Sequence, residues 1–207
     1  MLKVFNHPLI TAKLTVMRDH KTSHHLFRQL LKEISSLMTY EILRDIETTK
    51  INVTSPTGEI ANGLKIAKEI VIIPILRAGL GMTDGILSLV PTAKVGHIGL
   101  YRDEVTFEAK EYYYKIPQVA KDSIILLVDP MLATGTSALD AINKLKKDGF
   151  KNINLVSLVG VKKGIDNIFA YHSDVKIFLA SLDRELNEKN YILPGLGDAG
   201  DRIFGTK

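Results

Sequence analysis

Three stretches of this sequence carry residues suited to gripping phosphate, and each follows an apolar run. The first is 129–137, Asp-Pro-Met-Leu-Ala-Thr-Gly-Thr-Ser. Five apolar residues, Ile124–Val128, deliver the chain to Asp129, and a helical pattern opens near Thr136. Gly135 permits close backbone approach, while Ala133, Thr134, Thr136 and Ser137 are too small to obstruct it. Successive N–H groups at a helix start, with hydroxyls among them, suit a phosphate dianion. Thr-Gly-Thr-Ser alone also fits an ordinary Ser/Thr helix cap. Asp129 favours the ligand reading: an unpaired carboxylate ending a buried strand is costly, and this one can accept hydrogen bonds from ribose hydroxyls. The lysine of a Walker loop is missing.

The second stretch, Leu76-Arg77-Ala78-Gly79-Leu80-Gly81, puts a fork of guanidinium donors on a glycine turn, a grip for diphosphate or simply a surface arginine. The third is Tyr101-Arg102-Asp103-Glu104, followed by the polar, alternating stretch 105–115 with Tyr112, Tyr113 and Tyr114. That stretch reads as a hairpin leaving the body, a form that lids take. The tyrosines read as strand packing rather than a base-stacking platform. Near the carboxy terminus, Gly195, Gly197 and Gly200 formally match a dinucleotide fingerprint. Too few residues follow for its helix, second strand and ribose acid. A glycine loop offering backbone groups to a flat heterocycle is the better reading.

The elements that must position these loops are legible from periodicity. Apolar runs at 70–76, 95–100, 124–128, 153–159 and 175–179 predict strands covered on both faces. Helical patterns fall at 22–44, at 83–90 and at 137–147, the last with Gly149 placed to end it. Strand and helix alternate, which predicts an α/β fold with a mainly parallel central sheet flanked by helices. Ligands in such sheets bind beyond the carboxyl ends of the strands, where the three stretches lie. The first sixty-odd residues and the last twenty-odd fall outside the alternation, as an added arm and a cap. With no repeat or linker, 1–207 reads as one domain: an arm and helix to about 65, a core over about 66–180, and a hood over about 181–207.

Composition narrows the chemistry. There is no cysteine, which removes disulfides, thiolate zinc sites and cysteine nucleophiles, and fits a reducing cytoplasm. No histidine pair has metal spacing, no G-x-S-x-G elbow is present, and no apolar run approaches a membrane span. The net charge of +4 comes from scattered basic residues, a solvated surface or a site for a small polyanion, with nucleic acid disfavoured.

The segment Val128-Asp129-Pro130-Met131-Leu132-Ala133-Thr134-Gly135-Thr136-Ser137 resembles the phosphoribosyl-pyrophosphate (PRPP) motif of type I phosphoribosyltransferases. Its Pro-Met-Leu-Ala spacer is similar to that of the uracil phosphoribosyltransferase family. The resemblance extends through 7–10, 13–19, 76–82, 101–104 and 191–206, and Pro-Gly-Leu-Gly-Asp-Ala-Gly-Asp-Arg is specific to that family. It implies the type I phosphoribosyltransferase fold, PRPP and uracil as substrates, Mg²⁺, a homo-oligomer (dimer or tetramer) and, in some members, a GTP effector. It also implies residue roles. Arg77 and Arg102 contact PRPP, Asp129 holds ribose hydroxyls, and Pro130, Met131, Leu132, Ala133, Thr134, Gly135, Thr136 and Ser137 complete the PRPP loop. Ile192, Gly197 and Ala199 offer backbone groups to uracil, and Asp198 points towards PRPP. Two departures stand out, Val161-Lys162-Lys163-Gly164 for the usual Ala-Pro-Glu-Gly and Asp183-Arg184-Glu185 for Asp-Glu-Arg, neither expected to touch the phosphate loop. A phosphoribosyltransferase for another base and a PRPP- or nucleotide-sensing regulator are the rival readings.

Overall fold

The computed structural model describes residues 1–102 and 109–206, with the backbone alone at 102, 109 and 110. The chain opens with strand β1 (Leu2–Val4) and helix α1 (Pro8–Arg18), whose first position is a proline that needs no N–H partner. Helix α2 (His24–Ile42) is capped by Ser23, whose side chain accepts from the Leu26 N–H. It buries Phe27, Leu30, Leu31, Ile34 and Met38 along one face. Strands β2 (Thr48–Thr54) and β3 (Ile60–Ile66) then form an exposed antiparallel arm.

The alternating body follows: β4 (Ile70–Leu76), α3 (Leu80–Leu89), β5 (Lys94–Val95), β6 (His97–Arg102), β7 (Ala109–Lys115), β8 (Ile124–Val128), β9 (Met131–Leu132), α4 (Thr136–Lys147), β10 (Asn152–Val161), α5 (Lys162–Tyr171) and β11 (Lys176–Asp183). The last elements are β12 (Glu185–Leu186), β13 (Ile192–Leu193) and α6 (Ala199–Phe204). The central sheet runs β1-β11-β10-β8-β4-β6-β7, parallel throughout except for β7 at one edge. Its core strands alternate between two cores. Ile125 and Leu127 pack with Ala141, Ile142 and Ile168 of α4 and α5, whereas Leu126 and Val128 face Phe27, Leu31 and Ile203 of α2 and α6.

Several expectations change. The strands at 70–76 and 124–128 hold to the residue, and helix 137–147 begins one residue earlier. Gly149 (φ +92°) does end it: its N–H donates to Lys146 O and that of Phe150 to Leu145 O, a Schellman closure. The helix expected at 83–90 starts at Leu80, and the strand at 95–100 breaks at Gly96, whose N–H turns to Ile72 O. The first sixty residues are not wholly outside the sheet, because β1 pairs with β11 at its edge. Helix α5 had no sequence counterpart. A short helix, α6, does form among the terminal glycines: Asp198 caps it and Gly200 lies within it.

Candidate active site

Helix α4 has Gly135 as its N-cap residue, and that residue bears on both readings of its loop. Gly135 holds φ +80° and has no side chain with which to cap. Thr134 Oγ1 reaches the Thr136 N–H only at 3.5 Å and Thr136 Oγ1 at 3.1 Å. Among the described residues the first-turn N–H groups thus have few partners at the positive end of a twelve-residue helix, a geometry that suits an anion. A hollow of about 90 Å³ sits there, bordered by Asp129 and residues 131–138.

Asp129 leaves β8 into the floor of this hollow. Burial pushes its carboxyl up to about 7, against a hydrogen bond from the Met131 N–H that favours the ionised form. Asn167 of α5 donates from Nδ2 to Thr134 O at 3.0 Å, fixing the loop from behind. Gly164 presses on the same loop, since a Cβ there would stand 2.5 Å from Ala133 O. Of the segment Val161–Gly164 it is Gly164, unchanged from the usual Ala-Pro-Glu-Gly pattern, that reaches this loop.

The turn 76–79 abuts this floor. A Cβ on Gly79 would fall 2.4 Å from Val128 O, so only glycine lets the turn lie against the end of β8. The Leu76–Arg77 peptide is cis. Ala78 lines a cleft, while Arg77 is exposed beside it with its guanidinium carbon 5.8 Å from the centre of the Phe204 ring. Arg102 ends β6, its side chain outside the described residues, as are Asp103, Glu104 and the rest of 103–108. The hairpin that carries them is formed by β6 and β7, and Tyr112 packs its ring on Gly99, as strand packing requires.

The cleft that Ala78 lines, of about 380 Å³, brings the two distant motifs together. Asp129, Met131, Ala133, Thr134, Thr136 and Ser137 line one wall and Gly197, Asp198, Ala199 and Gly200 the other. Pro130 and Leu132 stand behind the loop: Pro130 O accepts from the Leu158 and Val159 N–H groups, and Leu132 is in the core. Ile192 is buried too and is not among the residues that border the cleft. Asp198 accepts from the Asp201 N–H at 3.0 Å and so doubles as the cap of α6. Lys189, Asn190 and Tyr191 also border the cleft, placed by a turn in which Asn187 Oδ1 accepts from the Lys189 and Tyr191 N–H groups. Sequence reasoning had not given these three a role.

The hood is anchored to α1. Arg18 and Asp183 form a two-toothed ion pair at 2.8 and 2.6 Å. Burial works to raise the Asp183 carboxyl, yet hydrogen bonds from Arg18, Ser181 and the Gly195 N–H together hold it below the ordinary aspartate range. Arg202 donates to Met17 O, Leu196 O and Asp19 O and lies 4.5 Å above the Phe27 ring.

A mainly parallel sheet, with a helix lacking a side-chain cap opening after a central strand and a separate hood bordering the same cleft, is the architecture of a type I phosphoribosyltransferase. A hypoxanthine-guanine phosphoribosyltransferase from Bacillus anthracis shares this fold with a TM-score of 0.52 at 12% identity, over 77% of this chain and 80% of its own. A profile of the family Uracil phosphoribosyltransferase matches residues 4–206, and the chain belongs to that family. The uracil phosphoribosyltransferase of Mycoplasma mobile is 67% identical over 207 residues, all of both chains. That of Clostridium beijerinckii is 54% identical over 202 residues, 98% of this chain and 97% of its own. The solved AQ2163 protein from Aquifex aeolicus matches with a TM-score of 0.94 at 37% identity, over 100% of this chain and 99% of its own.

Proposed function

We propose that the chain transfers the 5-phosphoribosyl group of PRPP to uracil, giving uridine monophosphate and pyrophosphate, in the cleft between 129–137 and 192–199. The observation that carries this reading is the meeting of an uncapped helix start with the glycine loop across one cavity. In it, residues 133–137 take the 5′-phosphate on backbone N–H groups and hydroxyls, and Asp129 accepts from the ribose hydroxyls. Arg77 swings from its perch beside Phe204 onto the pyrophosphate, with Arg102 as second cation.

Uracil is a weak nucleophile, so cleavage at ribose C1 runs ahead of bond formation and positive charge builds on the ring, as in glycoside chemistry. The protein's part is to hold both reactants in line and stabilise the leaving pyrophosphate. Backbone groups of Ile192, Gly197 and Ala199 read the base, and Asp198 faces PRPP from the opposite wall. Cytosine presents an amino group where uracil presents an acceptor, leaving polar groups unpaired at a substantial cost.

Mg²⁺ fits this site as a cation carried by the substrate. Among the described residues no three His, Cys, Asp or Glu gather as a cage, while Asp129, Asp198 and the loop hydroxyls are hard oxygen donors. When bound, the ion supplies charge against the departing pyrophosphate. The same reading takes the enzyme as a cytoplasmic homo-oligomer, dimer or tetramer, open to a GTP effector and without a nucleic-acid partner. The homo-oligomer is supported by the exposed apolar Val53, Ile60 and Leu64 of the arm. No helix among the described residues is long and apolar enough to cross a membrane.

Incubating the protein with PRPP, Mg²⁺ and each of uracil, orotate and hypoxanthine tests the reading. Uridine monophosphate from uracil alone is expected. Product from another base instead, or salt-dependent RNA binding without turnover, overturns it.

A further inference from the structure

The proposed base loop is tied down by groups that no step of the proposed mechanism uses. Every backbone N–H and C=O needs a partner, and the loop's groups fall into two sets. The Gly195 N–H donates to Asp183 Oδ2 at 2.9 Å, and Gly195 O accepts from Arg18 at 2.8 Å. Leu196 O accepts from Arg202 at 3.0 Å. Gly197 comes next and lines the cleft, and among the described residues its N–H and C=O make no hydrogen bond. The anchoring stops where the open groups begin.

The anchor is built from rigid parts. Arg18 is the last residue of α1, and Asp183 is the last of β11, with only 7% of its surface exposed. Asp183 Oδ1 takes one guanidinium nitrogen and the Ser181 hydroxyl, and Oδ2 takes the other nitrogen and the Gly195 N–H. Arg18 itself spans Asp183, Ser181 and Gly195 O. A helix end and a strand end therefore grip both polar groups of one loop peptide position.

We infer that Arg18, through its ion pair with Asp183, is a positioning residue for the base: by clamping Gly195 it fixes where the open backbone groups of Gly197 stand. It touches no substrate. The inference rests on reading 192–199 as the base loop. It predicts an effect that falls chiefly on uracil, because the proposed seat of the 5′-phosphate and ribose hangs on β8, α4 and α5 rather than on this clamp, Asp198 alone joining it from the clamped loop. Lysine keeps the charge but not the planar fork, so Arg18→Lys cannot hold Asp183 and Gly195 together.

Steady-state kinetics of Arg18→Lys, Asp183→Asn and Ser181→Ala, with uracil and PRPP varied separately, test it. The first two should raise the uracil KM about tenfold, and Ser181→Ala about two- to threefold, with the PRPP KM within about twofold of wild type. A parallel rise in both KM values, or a lowered melting temperature with uracil KM unchanged, overturns the clamp. Should one variant not fold, the other two carry the comparison. The unsubstituted protein separates the two failures. If it turns over uracil while the variants lose both substrates alike, the clamp alone falls. If it gives no uridine monophosphate, the base-loop reading falls and takes the clamp with it.

Discussion

Gly135 and Gly164 meet with no room for a side chain: a Cβ on Gly135 would stand 2.8 Å from Gly164 O. The phosphate loop thus rests on the first turn of α5, and the fit is reciprocal, because a Cβ on Gly164 would strike Ala133 O. Gly164→Ala must move one backbone or the other. Overpacking of this kind costs about 1–3 kcal/mol. We expect a lower melting temperature together with a PRPP KM raised about tenfold and a nearly unchanged uracil KM, read by calorimetry and steady-state kinetics.

Asp129 ties stability to pH. Its folded carboxyl titrates near 7, raised by burial, above the ordinary aspartate value of about 4. Between those values the folded protein holds the extra proton, so stability is fullest below the window and falls as pH rises through it. Asp129→Asn should therefore melt above wild type at alkaline pH, with the gap closing towards about pH 4. The wild-type kcat/KM for PRPP should gain an ascending limb near pH 7 that the variant lacks. A variant no more stable at alkaline pH would show that Asp129 is solvated in the cleft.

Asp198 has two jobs that substitution can separate. It caps α6 and it lines the cleft. Asparagine caps nearly as well as aspartate, whereas alanine loses about 1 kcal/mol. Asp198→Asn should keep the wild-type melting temperature and lose most turnover, while Asp198→Ala loses both. Full activity in Asp198→Asn would remove its charge from the reaction.

Chelation should part function from fold. With no described cage for a cation, removing Mg²⁺ with EDTA should abolish uridine monophosphate formation and leave the melting curve of the free protein in place. A large drop in melting temperature would point to a structural metal.

Continuous aliphatic runs made β4 and β8 readable to the residue, because Ile70–Leu76 and Ile124–Val128 face apolar cores on both sides. Helix α5 was not readable: it starts at Val161 without a side-chain cap, opens on two lysines and buries only Gly164, Ile165 and Ile168. Strand β1 is three residues with mixed exposure, too short for any period. The candidate loop at 129–137 could be read from sequence because its groups are contiguous. Arg18 showed no role, since its partners lie 163 to 177 residues away and no local spacing encodes them. Asn190 entered the cleft through a left-handed backbone (φ 61°) that asparagine tolerates but does not announce.

The pairing of the chain's first elements with its last sets an order for its synthesis. Met1–Val4 wait for 175–179 to become an edge strand, and Arg18 waits for Asp183 and Gly195. A ribosome adding about 5–20 residues per second exposes α1 and α2 well before their hood exists. The loop 129–137 and its supports, made within 124–167, can form on the nascent chain, but the loop at 192–199 is anchored only once Asp183 and Gly195 have followed. A chain cut short after α5 would contain the loop at 129–137 and lack the glycine loop that borders the same cleft.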